Sequence, residues 1–254
     1  MLPDVSLSFY VVAAFAVLIT GISKSGFSGG MGALTVPLMA MFISPFKAAA
    51  IMLPILCCMD ALSIWAYRKS FHRKNLMVLV LGALSGIGIG ALTYSYVDAN
   101  DIRILLGLLT LLFGLSYFIG NQKERKQTEA SSPVGIGCGV IAGFTSFVAH
   151  AGGPPVKFFL LRQRLDKTVF VGTNVAFFLI VNQVKLIPYA WMGQFSSENL
   201  MLSLLFVPIV PLGIWLGLKL HKLIAPELFY QISYLLMILA GVKLLYDGMS
   251  PFVW

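Results

Sequence analysis

Five ionisable side chains lie inside or beside long apolar runs of this 254-residue chain: Lys24, Asp60, His150, Lys157 and Lys185. A charge at the centre of a bilayer costs roughly 2.5–3.5 kcal/mol on insertion scales, so each such group marks a candidate site. Lys24 and Lys157 can supply positive charge to an anion. Asp60 can pair with a lysine or relay a proton, and His150, which titrates near neutrality, suits proton coupling. Structural readings compete with these. Lys157 can snorkel to the surface near Arg162, Asp60 and Lys185 can form an ion pair, and His150 can satisfy backbone freed at a chain break. Lys24 is far from any basic loop and is the hardest of the five to explain structurally.

Lys24 and His150 sit in two glycine-rich interruptions. One runs from Gly21 to Gly32 and is followed by Pro37; the other runs from Gly143 to Pro155. Glycine permits backbone conformations that a helix excludes, and proline lacks an N–H to donate. Chain breaks at membrane depth survive only where they are buried in protein or line a polar cavity. The half-helix that follows each break presents unpaired N–H groups and a positive dipole end, which favours an anion. Small residues also let helices approach closely, so packing is the competing reading. Polar groups beside the breaks extend the lining with Ser23, Thr145, Ser146 and Thr173. The candidate substrate-binding set is Lys24, Ser25, Ser28, Gly29, Gly30, His150, Gly152, Gly153, Asn174, Asn182 and Gln183. Asp60, Lys185 and His150 are the candidate coupling or ion-pairing groups.

No metal and no cofactor is expected. Cys57, Cys58 and Cys138 show neither metal spacing nor a disulfide framework. Neither a Walker A sequence nor H-E-x-x-H occurs, which argues against ATP drive within this chain and against a zinc hydrolase.

Helices must position these groups. Apolar stretches run at about 5–22, 31–43, 46–67, 76–97, 102–120, 134–149, 154–161, 168–191, 199–218 and 227–246. A crossing needs about 20 residues. The second and seventh are too short, and the first and sixth are borderline. Basic residues mark alternate loops: Arg68, Lys69, Arg73 and Lys74; Lys123, Arg125 and Lys126; Arg162, Arg164 and Lys167; Lys219 and Lys222. These read as cytoplasmic, so both termini are expected outside, across a bacterial inner membrane. Stretches one and two, and likewise six and seven, must then form hairpins that return to their starting side.

The composition agrees with this reading. Apolar residues make up 58% and charged residues 11%, against roughly 25% charged in a soluble domain. Mean hydropathy is +0.88. The net charge of +8 is absorbed by the cytoplasmic loops, so lipid rather than nucleic acid is the expected partner.

The chain also repeats itself at an offset of 122 residues. Gly21 aligns with Gly143, Ser28 with His150, Gly30 with Gly152, Asp60 with Asn182 and Tyr67 with Tyr189. Each half holds one hairpin and three spans, and an odd number of crossings inverts the second copy. The expected fold is an all-α polytopic membrane protein of two inverted repeats, each a broken or re-entrant helical hairpin plus three transmembrane helices. Residues 1–120 form the first repeat, 121–132 a cytoplasmic linker and 133–254 the second repeat.

The segments GFSGGMGALTVPL (26–38) and HAGGPPVKFFLL (150–161) resemble the duplicated glycine-rich signature of the sulfite exporter TauE/SafE family, also called the 4-toluene sulfonate uptake permeases. Met31 interrupts a common triple glycine, and His150 stands where a glycine is frequent. The resemblance implies a secondary transporter of sulfite, sulfoacetate or a related organosulfonate, with alternating access and protons as the coupling ion. An anion channel of the same architecture is the alternative. A homodimer is compatible with the sequence.

Overall fold

The computed structural model describes residues 6–28, 35–40, 42–93, 100–101, 104, 107–108, 111, 115 and 131–250. The helices are α1 (Leu7–Gly26), α2 (Thr35–Ala40), α3 (Pro45–Tyr67), α4 (Arg73–Thr93), α5 (Ser132–Ala149), α6 (Gly153–Leu161), α7 (Lys167–Trp191), α8 (Ser197–Phe206), α9 (Val210–Leu223) and α10 (Pro226–Met249). No strand occurs among the described residues. The fifth stretch, the 121–132 linker and both chain ends fall largely or wholly outside them.

Local chemistry sets the helix starts. Ser6, Ser44, Asp166 and Ser196 each accept a hydrogen bond from the first turn of the helix that follows, the usual N-cap arrangement. The ninth stretch is not one uniform helix. Val207–Ile209 tightens into a 3₁₀ turn between α8 and α9, because Pro208 and Pro211 have no N–H for the α-helical ladder.

Among the described residues, five helical segments are long and apolar enough to cross a membrane: Leu7–Gly26, Phe46–Tyr67, Arg73–Thr93, Lys167–Trp191 and Ser197–Leu223. Their outer faces are apolar. Trp65, Leu92 and Trp191 are exposed, as expected where the solvent is hydrocarbon.

Two tight contacts organise the bundle. Gly82 and Gly86 of α4 meet Gly139 and Val140 of α5, and Gly143 of α5 meets Ala83. Gly21 and Gly26 of α1 meet Gly213 and Gly217 of α9. Without side chains in the seam, the backbones approach closely enough for dispersion to hold them, which is the main glue available in lipid. Between these pairs, α3 packs against α7. One core joins α4, α5, α6 and α7 around Phe147, Phe170 and Phe177. Another joins α1, α2, α3, α8 and α9 around Phe9, Met52 and Phe206.

The described basic loops gather at one end. The His72 N–H donates to Thr173 (2.8 Å), Asn75 donates to Gln163 (2.7 Å), and Lys167 donates to the carbonyls of His221 and Ile224. At the opposite end Lys47 pairs with Glu198 (2.7 Å). The α4–α5 contacts run in parallel, with 82 beside 139 and 86 beside 140, so α5 starts at the basic end. Phe159 of α6 lies back beside Gly135, so this hairpin returns to where it began.

The arms of the hairpins are unequal. α1 and α5, with 20 and 18 residues, span about 30 and 27 Å, while α2 and α6, with 6 and 9 residues, return only about 9 and 14 Å. Each hairpin therefore pairs a long arm with a short return; the first stretch is long and apolar enough to cross a membrane, and the sixth, apolar over Ser132–Val148, falls just short of that length among the described residues.

Candidate functional site

The centre of the α3–α7 contact is ionic. Asp60 is fully buried; its Oδ1 lies 2.9 Å from Lys24 Nζ of α1, and its Oδ2 accepts from Asn182 Nδ2 of α7 at 2.7 Å. Lys24 also lies 5.3 Å from the centre of the Phe178 ring, within cation–π range. The partner of Asp60 is thus Lys24, and the Asp60–Lys185 ion pair raised from sequence does not form. Lys185 instead donates to the Ser146 carbonyl (2.9 Å) and hydroxyl (3.0 Å), and its Nζ stands 2.8 Å from His150 Nδ1. His150 Nε2 faces the Ala49 carbonyl at 3.0 Å. A carbonyl can only accept and an ammonium can only donate. With Lys185 charged, the imidazole meets both partners by carrying its hydrogen on Nε2 and accepting at Nδ1.

The two breaks flank this centre on opposite sides. Ser28, which follows α1, lies toward the basic end; His150, which follows α5, lies toward the other. Both have left-handed backbones, with φ of 60° and 51°, and they are 122 positions apart. The same spacing relates further contacts. The Tyr67 hydroxyl donates to the Ser25 carbonyl (2.6 Å) and that of Tyr189 to the Phe147 carbonyl (2.9 Å). Each tyrosine satisfies a carbonyl that a terminated helix leaves open. Tyr67→Phe and Tyr189→Phe are each expected to lower stability by about 1 kcal/mol, the usual net worth of such a bond. Chemical denaturation of each variant in detergent checks this, and a cost at one site only would break their equivalence.

Four consecutive carbonyls at the first break are each met by a different helix. Tyr67 of α3 reaches Ser25, His221 of α9 reaches Gly26 (3.2 Å), Lys157 of α6 reaches Phe27 (3.2 Å) and Asn174 of α7 reaches Ser28 (3.2 Å). Lys157 is 2% exposed, so it does not snorkel. Ser28, Asn174 and Ser63 are fully buried, and Ser28 Oγ, Asn174 Oδ1 and Ser63 Oγ have no hydrogen-bond partner among the described residues.

The other expected site residues divide. Lys24, Asp60, Asn182, Lys185 and His150 come together in the ionic centre; Ser28 and Asn174 come together at the first break. Ser25 turns away, donating to the carbonyls of Gly21 (2.9 Å) and Ile214 (3.1 Å) at the α1–α9 seam. Gln183 is exposed on the outer face of α7. Gly152 is close-packed, since a side chain there would strike the Ala142 carbonyl and Ser146. Gly153 begins α6, whose next two residues, Pro154 and Pro155, offer no N–H, so this helix start is a poorer donor than its position suggested. Gly29 and Gly30 lie outside the described residues. Residues 26–30 carry the spacing G-x-S-x-G, but Ser28 ends a helix rather than a strand, and its hydroxyl meets no base among the described residues. No three of His, Cys, Asp and Glu cluster as metal ligands among the described residues. Tyr67, Tyr189 and His221 are the contributors that sequence reasoning missed. The 122-residue spacing was the available signal for the two tyrosines.

Long apolar helices around buried lysines and an aspartate, with two interrupted hairpins, are the architecture of a polytopic membrane protein. The chain belongs to the sulfite exporter TauE/SafE family, whose sequence model matches residues 13–244, nearly its full length. No curated protein matches it. No solved structure matches it either.

Proposed function

We propose that this protein is a secondary transporter of a small oxyanion, sulfite or an organosulfonate such as sulfoacetate, working by alternating access with protons as the coupling ion. The observation that carries the reading is a charge imbalance. Lys24, Lys157 and Lys185 are all buried, and Asp60 is the one described carboxylate buried with them. Buried charges are retained when paired, and a diffusible anion completes the pairing. The family supplies the sulfur chemistry. Two inverted repeats, 1–120 and 133–254 joined by a cytoplasmic linker at 121–132, account for the matched contacts 122 residues apart. The basic end faces the cytoplasm of a bacterial inner membrane, with both termini outside. His150 and Asp60 are the candidate proton carriers.

Proteoliposomes test this. Labelled sulfite is expected to enter faster when unlabelled sulfite is preloaded, because a carrier returns faster when occupied; a channel shows no such stimulation. An inward proton gradient is expected to drive accumulation. Lys185→Gln, which removes a cation without orphaning Asp60, is expected to raise the half-saturating concentration about tenfold. No flux of sulfite or of any sulfonate in the wild-type protein would end the proposal.

A further inference from the structure

Lys157 stands apart from the ionic centre. Lys157 is 2% exposed, and its ammonium makes one described hydrogen bond, to the Phe27 carbonyl. Among the described residues no carboxylate pairs with it. An ammonium has three N–H groups, so two are left without a described acceptor in a water-poor interior, where an unpaired charge is costly. The next carbonyl in the chain, that of Ser28, accepts from Asn174, so Lys157 and Asn174 hold adjacent peptide units at the first break. The Ser28 and Asn174 side chains are fully buried, and Ser28 Oγ and Asn174 Oδ1 are unmet. The Asn174 amide cannot simply be turned around, because its Nδ2 is held by the Ser28 carbonyl, which only accepts.

We propose that Lys157, Ser28 and Asn174 form an oxyanion subsite selective for anions that carry a hydrogen-bond donor of their own. The proposal rests on the anion-transport reading above, adds a location to it, and narrows its substrates to donor-bearing anions, hydrogensulfite rather than the ionised sulfoacetate. The two spare N–H groups of Lys157 and the hydroxyl of Ser28 donate to the oxygens of the anion. Asn174 Oδ1 can only accept, so it repels a bare oxyanion and rewards an O–H or N–H. Hydrogensulfite carries such an O–H, and an aminoalkyl sulfonate carries an ammonium. Methanesulfonate has oxygens of the same kind and no donor. A buried polar group left unmet by the wrong ligand is the usual source of strong discrimination.

The test is calorimetric binding of hydrogensulfite, 2-aminoethanesulfonate and methanesulfonate to the purified full chain in detergent. The wild-type protein is expected to bind at least one of the first two about tenfold or more tightly than methanesulfonate. Lys157→Gln, which can still donate to the Phe27 carbonyl, is expected to weaken binding of that ligand about 10- to 100-fold, the range for losing a charged hydrogen-bond donor. Ser28→Ala guards against misfolding of the first variant, since it deletes one unpartnered oxygen; it is expected to weaken binding several-fold. Asn174→Leu is expected to erase the preference over methanesulfonate. If methanesulfonate binds the wild-type protein as well as the other two, the assigned chemistry is wrong. If Lys157→Gln and Ser28→Ala bind normally while Lys185→Gln binds weakly, the subsite is overturned and the transport reading stands. If the wild-type protein binds none of the three and carries no oxyanion in liposomes, both fall together.

Discussion

Asp60→Ala lowers the free energy of unfolding by about 3–5 kcal/mol, the range measured when one member of a buried ion pair is removed. The substitution leaves Lys24, 5% exposed, facing the Phe178 ring with no counter-charge, and it strips Asn182 of its acceptor. Lys185 then remains in the same interior with no buried carboxylate among the described residues. Most of the loss comes from the orphaned cation rather than from the pair itself, so Lys24→Met combined with Asp60→Leu recovers much of it. A double-mutant cycle read by denaturant unfolding in a mild detergent measures this coupling. A variant Asp60→Ala as stable as the wild-type protein would show that the pair does not hold the fold. The half-exposed pair Lys47–Glu198 is the internal contrast: breaking it is expected to cost about 0–1 kcal/mol, because solvent screens both charges.

Gly86→Val is expected to destabilise the protein by about 3 kcal/mol or more and to lower its melting temperature and folded yield, whereas Gly88→Ala, two residues along the same helix, leaves it intact. A Cβ at Gly86 overlaps the Val140 carbonyl oxygen and crowds the Phe144 amide. Those are backbone atoms of α5, which no rotamer change can move aside. The helices would have to separate, giving up the seam of Gly82, Gly86, Gly139 and Gly143. Overpacking of this kind costs about 1–3 kcal/mol or more, a large share of the 5–15 kcal/mol that holds a typical domain. Nothing lies within 4 Å of a Cβ built on Gly88, and alanine is the better helix former there. The yield of monodisperse protein and its melting temperature report both outcomes. Equal behaviour of the two variants would mean that the α4–α5 seam is not close-packed.

Much of the fold was readable because it depends on local chemistry. Runs of apolar residues mark crossings wherever the chain is immersed in lipid, and lysine and arginine sort the loops into two ends. Glycine and proline clusters locate the breaks, and Ser28 and His150 do take the left-handed backbone that a helix excludes. The repeat spacing paired Tyr67 with Tyr189 and Asp60 with Asn182, and both pairings have matching or mutual contacts. Some site residues went astray for a geometric reason. Asn182 and Gln183 are adjacent, so they point about 100° apart on a helix, and only Asn182 meets the core. Ser25 follows Lys24 by the same angle and faces α9 instead of Asp60.

Composition and short motifs were enough for the membrane class, the placing of the described loops at two ends, the points where helices stop and the family to which the chain belongs. Each of these follows from composition or from a few neighbouring residues. Long-range packing was needed to select Lys24 over Lys185 as the partner of Asp60, to bury Lys157 against the Phe27 carbonyl, and to assign one of four helices to each carbonyl at the first break. Those outcomes depend on distances between residues 36 to 195 positions apart in the chain. Glycine seams and the rotation of each helix about its own axis set such distances, and no local pattern encodes them.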